Sequence, residues 1–317
     1  MMGRLTYIDN AKAIGMMLIV ASHVIPSGDM SQSVIYKTWD GILNSFYVPL
    51  FFLLSGVFEP TDVDDKKLLK RVIKLIKFCA VFYVFGVIMD GIVHNNWILT
   101  SFKSQTTIWF LIVLLWITII VGLIKRLRWH NAIFLIFVSG GVMLAFKHMS
   151  LLYFGQACIC LPFYLIGYYG KEYIKREKAD LRILGGSFII WLLLFVEFYC
   201  PQNLSINLIE QNFITFYIEA VMGSLFVIEL CKLFSSCIFC YYGRNSIVPM
   251  MVQLPLIWIM MKFVKIESFP VHLVSSLILC VICGLCIPIF RNKYYDNGSL
   301  KFEITAKRLY AASQRVL

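Results

Sequence analysis

Charge is what this sequence has least of. Only 15% of its 317 residues are Asp, Glu, Lys or Arg, against 60% hydrophobic, where soluble domains carry roughly 25% charged and 45–50% apolar residues. That shortage excludes a soluble globular protein. No soluble domain can be cut from the chain, and no repeat relates its halves. Met1 is not followed by a basic n-region and a small-residue cleavage site, so the first apolar run is expected to be retained rather than removed as a signal peptide. A metal-ligand spacing is also missing. Most of the ten cysteines fall inside apolar runs, where cysteine is a small packing residue. Cys237-x-x-Cys240 has no second ligand pair, which argues against zinc or redox chemistry, and no metal is expected.

What is present is length. Apolar runs long enough to cross a bilayer recur from one end to the other, which predicts an all-α polytopic membrane protein. Ten spans are expected, at 6–25, 42–59, 72–93, 106–124, 131–147, 152–170, 182–200, 212–234, 245–263 and 270–290. The membrane domain is thus 1–290. Residues 291–317 form a basic, mildly amphipathic tail expected on the membrane surface. The net charge of +11 is not a nucleic-acid signal, because the cations sit in short loops. Arg4, the loops after even-numbered spans and the tail hold nearly all of them. The other side has only Lys37, Lys103, Lys147, Lys262 and Lys265, so both termini are expected in the cytoplasm.

The informative stretch is Tyr7 to Val24, YIDNAKAIGMMLIVASHV. Asp9, Lys12, Met16, Ile19 and His23 follow a 3-4-3-4 spacing and form one helical stripe. Lys12 and His23 stand within roughly 20° of each other and about 16 Å apart along the axis. Ionisable groups in a membrane-length helix are functional candidates; alternatively, Lys12 snorkels to the interface and His23 is a packing residue. On the expected topology Asp9 and Lys12 lie at the cytoplasmic mouth, with His23 toward the outer leaflet. Span three starts on the same side with KRVIKLIKF, whose Arg71 and Lys74 share a face. Topology alone calls for cations there, but the helix dipole disfavours them. A bound polyanion would suit both the charges and the free N–H groups.

Span two carries Pro49 in mid-helix, preceded by Asn44 and Ser45. Ser55-Gly56 follow, a small pair that permits close helix contact. Span four opens with Gln105, Thr106, Thr107 and Trp109, the last readable as an interfacial anchor. Glu229 is expected at the cytoplasmic interface. Glu197 and Glu219 are open between polar glue and proton handling.

These segments resemble the integral-membrane acyltransferase family 3, in particular its fucose 4-O-acetylase-like branch, over about residues 4–290. YIDNAKAIGMMLIVASHV resembles the family's first-helix signature of an acid, a base and a histidine eleven positions beyond that base. FYVPLFFLLSGVF is similar to the proline-led second helix, KRVIKLIKF to the paired-basic start of helix three, IWFLIVLL to helix four and LPFYLIGYYGK to helix six. The resemblance implies transfer of an acyl group, usually acetyl, from acyl-CoA to a hydroxyl of a cell-envelope or exported saccharide. It also implies a multi-pass protein of the bacterial cytoplasmic membrane, with acyl-CoA as co-substrate and no bound cofactor.

Carried over, His23 matches the essential histidine. Lys12 stands where many members have arginine, and Lys74 takes the second position of the Arg-x-x-Arg pattern begun by Arg71. Both lysines keep the charge and lose bidentate phosphate geometry. In YYGRNSIVPMMVQ, Gln253 stands where many relatives have a second histidine. On this reading Lys12, Arg71 and Lys74 hold the CoA phosphates by charge-assisted hydrogen bonds. Neutral His23 takes the proton from the attacking hydroxyl, a role worth typically 10²–10⁴-fold. Trp109, Asn44 and Ser55 are candidates for oxyanion stabilisation, and Asp9 for lining the site. The alternative is a saccharide or acyl-group transporter with the same polar stripe along its pathway.

Overall fold

The computed structural model describes residues 5–62, 64–95, 107–126, 151–198 and 202–294. Among them the chain is helical almost throughout, and helices lie over nine of the ten expected spans. The fifth span (131–147), the charges at Arg4, Lys103, Arg128 and Lys147, the pair Gln105-Thr106 and the tail beyond 294 lie outside the described residues.

Helix α1 is Thr6–His23. Asp9 in its first turn suits the positive end of the dipole. Beyond His23 the chain turns extended at Val24, two residues before Pro26, which cannot continue a helix. Helix α2, Val34–Val57, begins where Ser33 accepts a hydrogen bond from Tyr36 N. Helix α3 runs Asp65–His94, 30 residues, or about 45 Å, longer than the hydrocarbon is thick. The helix starts seven residues before the expected span at 72–93, because Asp64 caps the N–H groups of Lys66 and Lys67 and nothing breaks the turns that follow.

Helix α4 is Ile108–Arg126 and α5 is Phe154–Tyr169. A single turn α6, Lys171–Ile174, leads to α7, Leu181–Phe198. Between α7 and α8 (Phe213–Lys232) lies a small hairpin, in which β1, Gln202–Asn203, pairs antiparallel with β2, Leu208–Ile209. It is a departure from the all-helical expectation. Helices α9, Cys237–Arg244, and α10, Ile247–Phe263, meet at 85°, and α11 is Phe269–Tyr294.

Among the described residues six helices (α2, α3, α4, α7, α8 and α11) are long and apolar enough to cross a membrane, and the bent α9–α10 pair would make a seventh. The protein is therefore an all-α polytopic membrane protein. Helix α5, at 16 residues, is shorter, and α1 is interrupted by Asp9 and Lys12.

Helix α1 is enclosed, packing against α2, α8, α9, α10 and α11. Two crossings fix its surroundings. A Cβ on Gly56 would overlap the Tyr164 carbonyl oxygen, and one on Gly167 would overlap that of Leu53. Helices α2 and α5 thus touch backbone to backbone, the contact expected of Ser55-Gly56. Likewise a Cβ on Gly243 would overlap the Asp9 carbonyl oxygen, so α9 lies directly on the first turns of α1.

Glu229 is fully buried inside the protein. It accepts hydrogen bonds from Tyr173 Oη at 3.0 Å, Asp180 N at 2.9 Å and Lys232 Nζ at 2.6 Å, which ties the α6–α7 loop to α8. Glu219 is buried and accepts from Gln211 at 2.8 Å, while Glu197 is exposed.

Candidate active site

A cavity of about 730 Å³ opens among α1, α2, α3, α4, the hairpin and the α9–α10 bend. That volume suits a ligand of moderate size. Lys12, Met16, Ile19 and His23 line it together, so the α1 stripe faces one space. Arg71 and Lys74 from α3, Asn44 and Ser55 from α2, and Trp109 from α4 line the same space. Asp9 does not. Its carboxylate turns toward α9, where it accepts from Cys240 Sγ at 3.6 Å and faces Arg244 Nε at 4.0 Å.

One end of the cavity is cationic. Lys12 Nζ rests 4.9 Å from the centre of the Phe58 ring and Lys74 Nζ 5.7 Å from that of Phe78, placements in which an ammonium is attracted to the ring face. Lys74 and Arg244 are exposed, so the cavity opens to the outside here. Arg71 reaches it half-buried. Its guanidinium donates to the Glu59 carboxylate and, at 3.1 Å, to Tyr164 Oη.

Glu59 is only 6% exposed and also accepts from Lys125 and, at 2.6 Å, from Tyr164 Oη. Burial pushes its pKa up, but the hydrogen bonds from Lys125, Tyr164 and Arg71 and the charge of Arg71 outweigh this and hold it below the usual carboxylate range. The carboxylate thus stays ionised and fixes Arg71 in place.

The other end is neutral except for Asp40. Tyr47 Oη donates to Asn44 Oδ1 at 2.9 Å, and Ser22 Oγ lies 3.3 Å from Tyr47 Oη. Asn44 Nδ2 donates to the Asp40 carbonyl at 2.8 Å. Ser55 spends its one proton on the Phe51 carbonyl at 2.7 Å, so as placed it donates nothing to the cavity. Trp109 is 8% exposed, and its indole N–H has no hydrogen-bond partner among the described residues.

His23 is half-buried in the wall, with Nδ1 enclosed and unpartnered. Gln253, wholly buried, lies beside the ring, but neither of its amide atoms meets hydrogen-bond geometry. Position 253 therefore faces the same cavity with a side chain that cannot ionise.

The sequence reading counted Lys125 and Arg244 only toward topology and passed over Glu59 and Tyr164. It also missed Gln202 and Ser205 of the hairpin, which close the neutral end of the cavity. Glu59 left one signal, the first acid at the end of a membrane-length apolar run.

Comparison with known proteins bears on the whole of this domain. A family model described as an acyltransferase domain matches residues 5–291. No curated protein and no solved structure matches the chain.

Proposed function

The chain belongs to integral-membrane acyltransferase family 3, and from that premise we propose that it is an O-acyltransferase. It moves an acyl group, acetyl in the simplest case, from acyl-CoA to a hydroxyl of a cell-envelope or exported saccharide. One observation carries the reading: a single cavity joins Lys12, Arg71 and Lys74 to His23. The cationic end matches the phosphates of CoA. The roughly 16 Å of helix between Lys12 and His23 leaves room for the arm that bears the thioester. Both termini face the cytoplasm across ten spans in this reading, and the cationic end opens on that side.

At the neutral end the imidazole of His23 takes the proton of the acceptor hydroxyl as its oxygen attacks the thioester carbonyl. Histidine suits this because its ordinary pKa lies near the working pH. The Trp109 N–H is the oxyanion donor best placed among the three candidates, since Ser55 has committed its proton and Asn44 Nδ2 already donates to the Asp40 carbonyl. Collapse of the tetrahedral intermediate breaks the C–S bond, forms the ester and releases CoA, whose thiolate recovers the proton from His23. With Gln253 beside the ring, one imidazole performs both transfers.

The test is transfer itself. Purified protein supplied with radiolabelled acetyl-CoA and a cell-envelope extract is expected to label a saccharide fraction. His23→Ala is expected to abolish labelling at unchanged expression and melting temperature. Labelling that survives His23→Ala would sink the proposal, as would saccharide or acyl uptake with no transfer.

A further inference from the structure

A general base is ordinarily oriented by a third group bonded to its second ring nitrogen. His23 has none: its Nδ1 is buried without a partner among the described residues. The Ile19 carbonyl and Gln253 stand near the ring, but Nδ1 meets no partner at hydrogen-bond geometry, so the aim of the imidazole rests largely on the backbone that carries it. The backbone at this point is the carboxyl end of a helix, where the last carbonyl oxygens have no partner within the helix. Val24 is wholly buried, so its carbonyl cannot turn to water, and a buried carbonyl left bare is costly.

The partner comes from α11. His272 Nε2 lies 3.0 Å from the Val24 carbonyl oxygen. Since a carbonyl only accepts, Nε2 carries the proton. The His272 ring is itself held on both sides, stacked on Phe269 at 6.2 Å and met edge-on by Tyr36 at 5.5 Å. Its residue has no exposed surface. Two further ties join the same pair of segments: Ser27 N donates to the Ile266 carbonyl at 2.8 Å, and Cys280 Sγ reaches the Met17 carbonyl at 3.8 Å. Of the three, only the His272 bond falls on the residue next to His23.

We infer that His272 is a positioning residue: its hydrogen bond to the Val24 carbonyl fixes the end of α1 and so aims the His23 imidazole into the cavity. The inference rests on the reading of His23 as the base, and it makes His272 a substitute for the missing carboxylate. Geometry near a reacting centre is steep in its effect, with a shift of about 1 Å costing on the order of 10²-fold.

The experiment compares full-length wild type, His272→Ala and His272→Gln, the last keeping an N–H donor. With acetyl-CoA and envelope extract, His272→Ala is expected to lower kcat by about 10- to 100-fold while the donor KM stays within about twofold. His272→Gln is expected to restore most of the loss. A second readout needs no turnover: carbethoxylation of His23, located by mass spectrometry, should be faster in His272→Ala and return toward the wild-type rate in His272→Gln.

The inference is overturned if His272→Gln is no better than His272→Ala. It also falls if the folded fraction of His272→Ala, gauged by its melting curve, keeps wild-type kcat and His23 reactivity. Should the wild type itself transfer nothing, the functional reading fails, and the carbethoxylation rates alone still decide the positioning.

Discussion

The two ends of the cavity are held by opposite means. At the cationic end, charges are locked by charges. Arg71 is gripped by Glu59, which is shared with Lys125 and Tyr164, and Arg244 faces Asp9. At the imidazole end the ties are neutral and run through hydroxyls, an amide and backbone carbonyls. The difference follows from what each end has to do. Holding a polyanion requires cations that do not scatter by mutual repulsion, so a buried anion must stand among them. At the imidazole end Asp40 is the one acid among the lining residues, and neutral ties position the groups around the base without adding charge.

That contrast can be broken from either side. The largest effect is expected at His23: replacement by Ala should lower kcat by about 10²–10⁴-fold and leave equilibrium binding of CoA, measured by calorimetry, unchanged. Next comes Glu59→Gln, which leaves Arg71 and Lys125 buried beside a neutral amide. A loss of about 3 kcal/mol is expected, read from the denaturation midpoint.

Acid should mimic that substitution. A carboxyl whose pKa is lowered by folding contributes stability that is complete above its unfolded pKa of about 4.3. That contribution is lost as pH falls through the lowered folded value. Acid unfolding of the wild type should therefore contain a component that Glu59→Gln lacks. Arg71→Ala should raise the donor KM about tenfold, the scale of a lost charge-assisted hydrogen bond, with kcat nearly kept. A fall in kcat without a change in KM would contradict the division of labour. The smallest effect is expected from Asp9→Asn. It weakens the 4.0 Å pair of Asp9 with Arg244 outside the cavity and should change the donor KM by about twofold, the scale of a weak ion pair.

Much of the fold was legible because a bilayer leaves an apolar run of this length one solution, a helix that satisfies its own backbone. The stripe on α1 was legible for a related reason, since spacing along one helix needs no knowledge of its neighbours. Glu59 was not, because its meaning lies in Arg71, Lys125 and Tyr164, which come from three other helices. Helix α9 was not, because its eight residues owe their place to Gly243 lying on the Asp9 backbone. The displacement of Asp9 from the cavity has the same origin: periodicity puts it on the stripe, and α9 then covers that turn. The hairpin at 202–209 alternates polar and apolar residues from Asn203 to Leu208, but the run is too short to stand alone and is tied from outside by Gln156 donating to the Ser205 carbonyl at 3.1 Å.

The glycine crossing of α2 and α5 has a mechanical consequence. Two helices whose main chains meet with no side chain between them form a seam without play, because neither can slide or roll without collision. Helix α3, which bears Arg71 and Lys74, has the smallest buried share of the long helices among the described residues, yet Arg71 is tied back to that seam through Glu59 and Tyr164. The charges that greet the donor are thus referenced to the stillest part of the molecule.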